Sequence, residues 1–207
     1  MTQFAPNGRC GNGRDKPDGI WPAANMHFPT GSPRGKTKPV PLKVFLPPGS
    51  MYCSAVASRV TTILGSCVAV CLWDTRLRLG GINHYLLPYR NGVSASLRFG
   101  DSAIEFLLEA MLRLGGQPAS LQAKVFGGAA VLGMATGGDP VGDQNVRLAV
   151  ATLCRHRIPI VAQRTGGRTG MLIRLLTHTG EVTTHRVAAT AIDPAPFGDA
   201  GPGTYTG

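Results

Sequence analysis

Cys67 and His84 are the two side chains of this sequence whose types and spacing offer chemistry. A thiol attacks carbonyl carbon as its thiolate, and an unperturbed thiol, with a pKa of about 8.5, is only a few per cent ionised at neutral pH. An imidazole alongside supplies the missing base. Residues 59–64 (RVTTIL), 67–73 (CVAVCLW) and 78–87 (RLGGINHYLL) read as three successive strands, the first broken from the second by Gly65-Ser66. If residues 74–77 join the last two, with Trp73 opposite Arg78, Cys67 falls directly across from His84. Opposed side chains share a face, with Cβ atoms about 4.5–5.5 Å apart; a slip of one residue would separate them. Gly65 and Ser66 permit a sharp turn that aims the Cys67 amide, and a neighbouring one, at an oxyanion. Thr61 and Thr62, one strand earlier, can offer a hydroxyl or a backbone carbonyl to the other ring nitrogen. A Cys and a His in adjacent strands also suit plain core packing, and spacing alone leaves both readings open.

The elements that must position this pair can be read in outline. Asp101 is a candidate N-cap for a helix carrying Ile104, Leu107, Leu108, Met111 and Leu114 on one stripe and ending at Gly115-Gly116. Asp143 opens a second helix with Val146, Ala149, Val150 and Leu153 on one side, closed by Pro159. Residues 124–126 and 131–132 are apolar runs flanking Gly127-Gly128, and residues 171–177 and 181–187 look like a hairpin. Strands and helices mix without strict alternation, which predicts an α+β domain with hairpins and two main helices. Nine of the sixteen prolines precede residue 50, so residues 1–42 read as a flexible basic tail, 43–192 as the folded domain, and 193–207 as a second loose end.

Twenty-one Lys and Arg stand against 11 Asp and Glu in 207 residues, a net charge of +10, which favours an acidic partner. With 6% aromatic residues there is little stacking surface for single-stranded nucleic acid, and no nucleic-acid partner is expected. No run approaches the roughly 18 apolar residues of a membrane-spanning helix, and the N-terminus lacks an apolar leader core, so a cytoplasmic location without membrane insertion is expected. The five cysteines (10, 53, 67, 71 and 154) then read as thiols, and their spacing offers no structural zinc site.

The run Thr61-Thr62-Ile63-Leu64-Gly65-Ser66-Cys67-Val68-Ala69-Val70, followed by Gly80-Gly81-Ile82-Asn83-His84-Tyr85-Leu86-Leu87-Pro88, resembles the CheD family of chemoreceptor glutamine deamidases. Weaker similarity continues through residues 123–132 (AKVFGGAAVL), 141–145 (VGDQN) and 165–167 (TGG), covering about residues 44–187. The resemblance implies a mixed β-sandwich with flanking helices and a Cys-His-Thr triad. It places the nucleophile at Cys67, the general base at His84 and the orienting group at Thr61, with Gly65 and Ser66 supporting the oxyanion. It implies hydrolysis of receptor glutamine side chains to glutamate in chemotaxis adaptation, without metal or cofactor. A related activity on receptor glutamate methyl esters could run through the same thioester. Partners would be chemoreceptor cytoplasmic helices and, where one is present, a CheC-type phosphatase; an adapter role with little turnover is the alternative. Two departures concern one loop: Gly166-Gly167 is followed by Arg168-Thr169-Gly170-Met171 rather than by a further Gly-Arg, and Arg164 stands where the family commonly has an acidic residue.

Other candidates have plainer readings. Cys71, on the face of Cys67, reads as core; Cys53 and Cys154 read as packed or incidental, and Cys10 as an incidental exposed thiol. His156 reads as part of the basic end of a helix, and His178 and His185 as hairpin residues. The glycine pairs at 127 and 137 lack the context of a phosphate loop. Asn145 either caps the second helix or lines the site.

Overall fold

The computed structural model describes residues 26–27, 40–130 and 139–187. Cys10, residues 131–132, the glycine pair at 137 and the stretch from residue 193 lie outside the described residues. The elements run β1 (Met26–His27), β2 (Leu42–Phe45), β3 (Ser50–Ser54), β4 (Ser58–Leu64), β5 (Val68–Asp74), β6 (Leu79–His84), α1 (Gly100–Arg113), β7 (Leu121–Gly127), α2 (Val141–Arg155), β8 (Ile160–Thr165), β9 (Met171–Leu176) and β10 (Val182–Arg186). They form a six-stranded sheet in the order β1-β3-β6-β5-β7-β8 and a four-stranded sheet in the order β10-β9-β4-β2. Both sheets are mixed: β1–β3, β7–β8 and β2–β4 pair in parallel and the rest antiparallel. This is the expected α+β arrangement. Two residues of the expected tail, Met26 and His27, pair with β3, and β2 opens at Leu42.

Alternation along the central strands separates two cores. Val68, Val70 and Leu72 of β5 face a cluster with Ile104, Leu107 and Met111 of α1 and Ala149 and Leu153 of α2. Ala69 and Cys71 face the other way, into a cluster with Val60 and Leu64 of β4 and Ile173 and Leu175 of β9. The helices therefore cover one face of the larger sheet and the smaller sheet covers the other, so β5 is buried on both faces and reads as a continuous apolar run. Each fully buried Leu or Ile contributes about 1.5–3 kcal/mol of transfer free energy. Gly80-Gly81 keeps both layers close: a Cβ at Gly80 would meet the Thr177 backbone at 2.7 Å, and one at Gly81 would meet Leu107 Cδ1 at 2.9 Å.

Both helices begin earlier than the expected caps. Phe99 is the N-cap residue of α1 and Pro140 that of α2, neither with a side-chain cap, so Asp101 and Asp143 lie inside the first turns. Carboxylates there still complement the positive end of the helix. Leu114 caps the C-terminus of α1, and Gly115 follows at φ +91°. Glu105 of α1 takes Arg155 Nη2 at 2.6 Å and His156 Nε2 at 2.9 Å, so His156 fastens the end of α2 to α1.

The β5–β6 turn rests on Asp74. Its carboxylate accepts from the Arg76 and Leu77 amides at 2.9 and 2.8 Å, the Gln117 amide at 3.1 Å and Ser120 Oγ at 2.5 Å. Burial pushes this carboxyl up, but the four hydrogen bonds outweigh it and hold it below the ordinary value. A lowered folded-state pKa contributes stability above the unfolded value of about 3.9, and that contribution is lost as pH falls through the folded value. Asp74→Ala is expected to cost about 3 kcal/mol in urea unfolding at neutral pH, with the deficit shrinking towards pH 3 because the wild type is then losing the same interaction.

Candidate active site

His84 ends β6 at 1% exposure and points between the two sheets. Its Nδ1 lies 2.8 Å from Thr62 Oγ1, and that hydroxyl donates to the Leu46 carbonyl at 2.7 Å. A hydroxyl has one proton, and a carbonyl can only accept it. Thr62 therefore accepts from Nδ1–H, which leaves the lone pair of the neutral ring on Nε2. Among the described residues Nε2 is buried without a hydrogen-bond partner.

The hydroxyl at the ring belongs to Thr62, not to the expected Thr61. Val60, Thr62 and Leu64 form the inward face of β4, while Arg59, Thr61 and Ile63 alternate outward. Thr61 contributes through its backbone, its carbonyl accepting from the Leu46 amide at 2.9 Å.

The β5–β6 register also differs from the expected one. Asp74 pairs with Leu79 and Trp73 with Gly80, and Val68 bridges to Tyr85, so the loop starts one residue later and Ala69 faces His84. Cys67 is thus a diagonal neighbour displaced by two residues, not a directly opposed one. A displacement of two preserves the face: Cys67 packs against the inter-sheet cluster, on the side from which His84 reaches Thr62. Diagonal neighbours are about 7–8 Å apart at the backbone, somewhat less at Cβ, with long side chains still in reach.

The turn before β5 is suspended by its carbonyls. Gly65 O accepts from the Ala129 amide at 2.8 Å, Ser66 O from Asn145 Nδ2 at 3.1 Å, and Cys67 O from the Gly128 amide at 2.8 Å. Among the backbone hydrogen bonds of the described turns and loops, none has the amide of Gly65, Ser66 or Cys67 as donor. A planar trans peptide sets its C=O and N–H in opposite directions, so holding the Gly65 and Ser66 carbonyls turns the Ser66 and Cys67 amides away from those anchors. Gly127, at φ +105°, makes the packing possible, since a Cβ there would stand 2.2 Å from Cys67 O.

The remaining cysteines divide. Cys53 and Cys71 are buried thiols pushed up to about 12 by burial, and Cys53 lies against Met111 Sδ at 3.2 Å. Cys154, expected as a thiol, is disulfide-bonded. Arg164 of β8 donates to Thr184 Oγ1 at 2.6 Å, joining the edges of the two sheets.

Burial acts on both members of the pair in the direction of neutrality. It pushes the Cys67 thiol up, against a smaller opposing effect of the residue's own backbone amide. It pushes the His84 imidazole down to about 4, with the Leu46 carbonyl opposing. The resting pair at neutral pH is therefore thiol and neutral imidazole, not thiolate and imidazolium. The rate of Cys67 alkylation by iodoacetamide, with Cys67→Ser subtracting the other thiols, is expected to keep rising through pH 9. A plateau with an apparent pKa below 7 would contradict this assignment.

The family model described as CheD chemotactic sensory transduction matches residues 86–186. A protein of Rhodospirillum rubrum described as a probable chemoreceptor glutamine deamidase CheD is 47% identical over 152 residues, 73% of this chain and 86% of the relative. Proteins with the same description from Trichlorobacter lovleyi and, as CheD 1, Anaeromyxobacter dehalogenans are 46% and 44% identical, over 68% and 74% of this chain and 88% and 85% of their own lengths. Identity of this order across most of the length of several relatives places the chain in the CheD family.

Proposed function

We propose that the chain hydrolyses glutamine side chains of chemoreceptor cytoplasmic helices to glutamate, with Cys67 as nucleophile, His84 as general base and acid, and Thr62 as the group that orients His84. One observation carries the reading: a buried imidazole tied through Nδ1 presents an Nε2 that has no partner among the described residues, on the sheet face that also carries the half-buried free thiol. The descriptions of the relatives as chemoreceptor glutamine deamidases supply the substrate class.

In the proposed reaction the Cys67 proton passes to His84 Nε2 as sulfur bonds to the carboxamide carbon, and the oxygen takes the negative charge beside the Ser66 and Cys67 amides. The imidazolium returns the proton to nitrogen, the C–N bond breaks and ammonia leaves. His84 then takes a proton from water, hydroxide attacks the thioester, and the thiol departs with that proton to leave glutamate. A chain of net charge +10 complements helices rich in Glu and Gln.

The test incubates the full-length protein with a chemoreceptor cytoplasmic fragment from the same organism and follows the gain of about 1 Da per converted glutamine by peptide mass spectrometry. Wild type is expected to convert, and Cys67→Ala and His84→Ala to fall by at least about a thousandfold. Binding without conversion by folded wild type would favour an adapter instead. Thr62→Val is expected to lower kcat about tenfold or more, and Thr61→Val less than about threefold; the reverse order would return the orienting role to Thr61. On the acid side, His84 is a base only while unprotonated, so kcat/KM is expected to hold down to pH 5 and fall as pH approaches about 4.

A further inference from the structure

Asn145 lies in the second turn of α2, fully buried, far in sequence from Cys67 and His84. It does not cap the helix, whose N-cap is Pro140. Its Nδ2 donates to Ser66 O at 3.1 Å and to Leu86 O at 2.9 Å, so one amide group spans the residue before Cys67 and the segment just after His84. Its own main-chain carbonyl accepts from Tyr85 Oη at 2.7 Å. Its Oδ1 is buried with no hydrogen-bond partner among the described residues. Both N–H groups are therefore engaged while the oxygen is idle, and a flipped amide would set that oxygen against two carbonyls.

We infer that Asn145 is a positioning residue for the deamidation reaction, turning the Ser66–Cys67 peptide so that the Cys67 amide faces the developing oxyanion. The inference rests on the reaction proposed above. Of the three anchors on the carbonyls of Gly65, Ser66 and Cys67, the other two are backbone amides of residues 129 and 128, so Asn145 supplies the one that a substitution can remove. Because C=O and N–H of one peptide are rigidly opposed, losing the Nδ2 anchor frees the rotation that sets the direction of the Cys67 N–H. The second bond of Nδ2, to Leu86 O, makes that direction depend on where the His84 strand lies.

Two reactions of Cys67 separate this role from a merely structural one. Deamidation passes through an oxyanion, whereas alkylation by iodoacetamide displaces iodide at saturated carbon and forms none. Asn145→Asp and Asn145→Ser are compared with wild type for kcat and KM on the receptor fragment, for Cys67 alkylation and for thermal unfolding. The expected result is a kcat about a hundredfold lower, with KM and alkylation within about threefold of wild type. A kcat within about threefold of wild type, or alkylation falling in parallel with deamidation, would overturn the inference. Should neither variant fold, Tyr85→Phe decides: it deletes the oxygen that holds the Asn145 carbonyl and is expected to lower kcat about fivefold with alkylation unchanged, and an unchanged kcat would count against the role. If wild type itself converts no glutamine, the proposed reaction falls and the inference with it. Conversion by wild type and Asn145 variants alike removes the inference alone.

Discussion

The proton of the Thr62 hydroxyl can go to one acceptor, and its choice decides what chemistry the imidazole can do. Because Leu46 O takes it at 2.7 Å, the ring must donate from Nδ1 and keep its lone pair on Nε2. Thr62 belongs to β4 of the smaller sheet and His84 to β6 of the larger one, so the bond that sets the tautomer crosses the sandwich. Val60, Leu64, Ile82 and Ile173, which fill the space between the sheets, thereby fix the distance on which that bond depends. The inter-sheet core therefore fixes the geometry of the His84–Thr62 pair, since close packing leaves no slack for one sheet to slide on the other.

The turn that carries Cys67 depends on the opposite face of the larger sheet. The end of β7 and the start of α2 meet there: a Cβ at Gly128 would stand 2.5 Å from Val146 Cγ2, and Gly142 packs against the Gly128 carbonyl. The amides of Gly128 and Ala129 are thus free to reach the carbonyls of Cys67 and Gly65, while Gly127 O accepts from the Gly166 amide at 2.9 Å. Gly127 and Gly128 let backbone segments converge where side chains would keep them apart, whereas Gly166 and Gly167 have open space at the Cβ position and serve the turn through their positive φ of +74° and +82°.

Parity was legible in the sequence, and absolute register was not. The alternation of residues 67–73 and 78–87 put Cys67 and His84 on one face, and that survives because the true pairing differs from the expected one by an even number. The loop length was the weak step, since the Asp74 carboxylate, by binding the Arg76 and Leu77 amides, holds Thr75 to Arg78 in the turn and keeps Asp74 in the strand. Thr62 was within reach of the same alternation. With Thr61 inward, Arg59 would have entered the core; with Thr62 inward, Val60 and Leu64 accompany it, as observed. The contacts of Asn145 lay beyond any local pattern, because its partners Ser66 and Leu86 are brought to it by the packing of α2 on the sheet.

A neutral resting pair follows from the same burial that builds the site. An ion pair of thiolate and imidazolium would place two charges in a desolvated space, where the attraction between them competes with the loss of hydration of both. Here burial raises the thiol and lowers the imidazole, so in the proposed reaction neither charge forms until a carboxamide carbon is in place to accept the sulfur. In the reaction proposed above, the proton would then move to Nε2 and the negative charge would pass through sulfur to oxygen, beside the turned-out amides of residues 66 and 67. On this proposal charge would develop only along the reaction coordinate, and the preorganised amides would act where a low local dielectric gives them most effect. The proposed reaction carries a selectivity with it: a thiol that ionises only in concert with attack would be slow towards any electrophile that cannot place its oxygen at those amides.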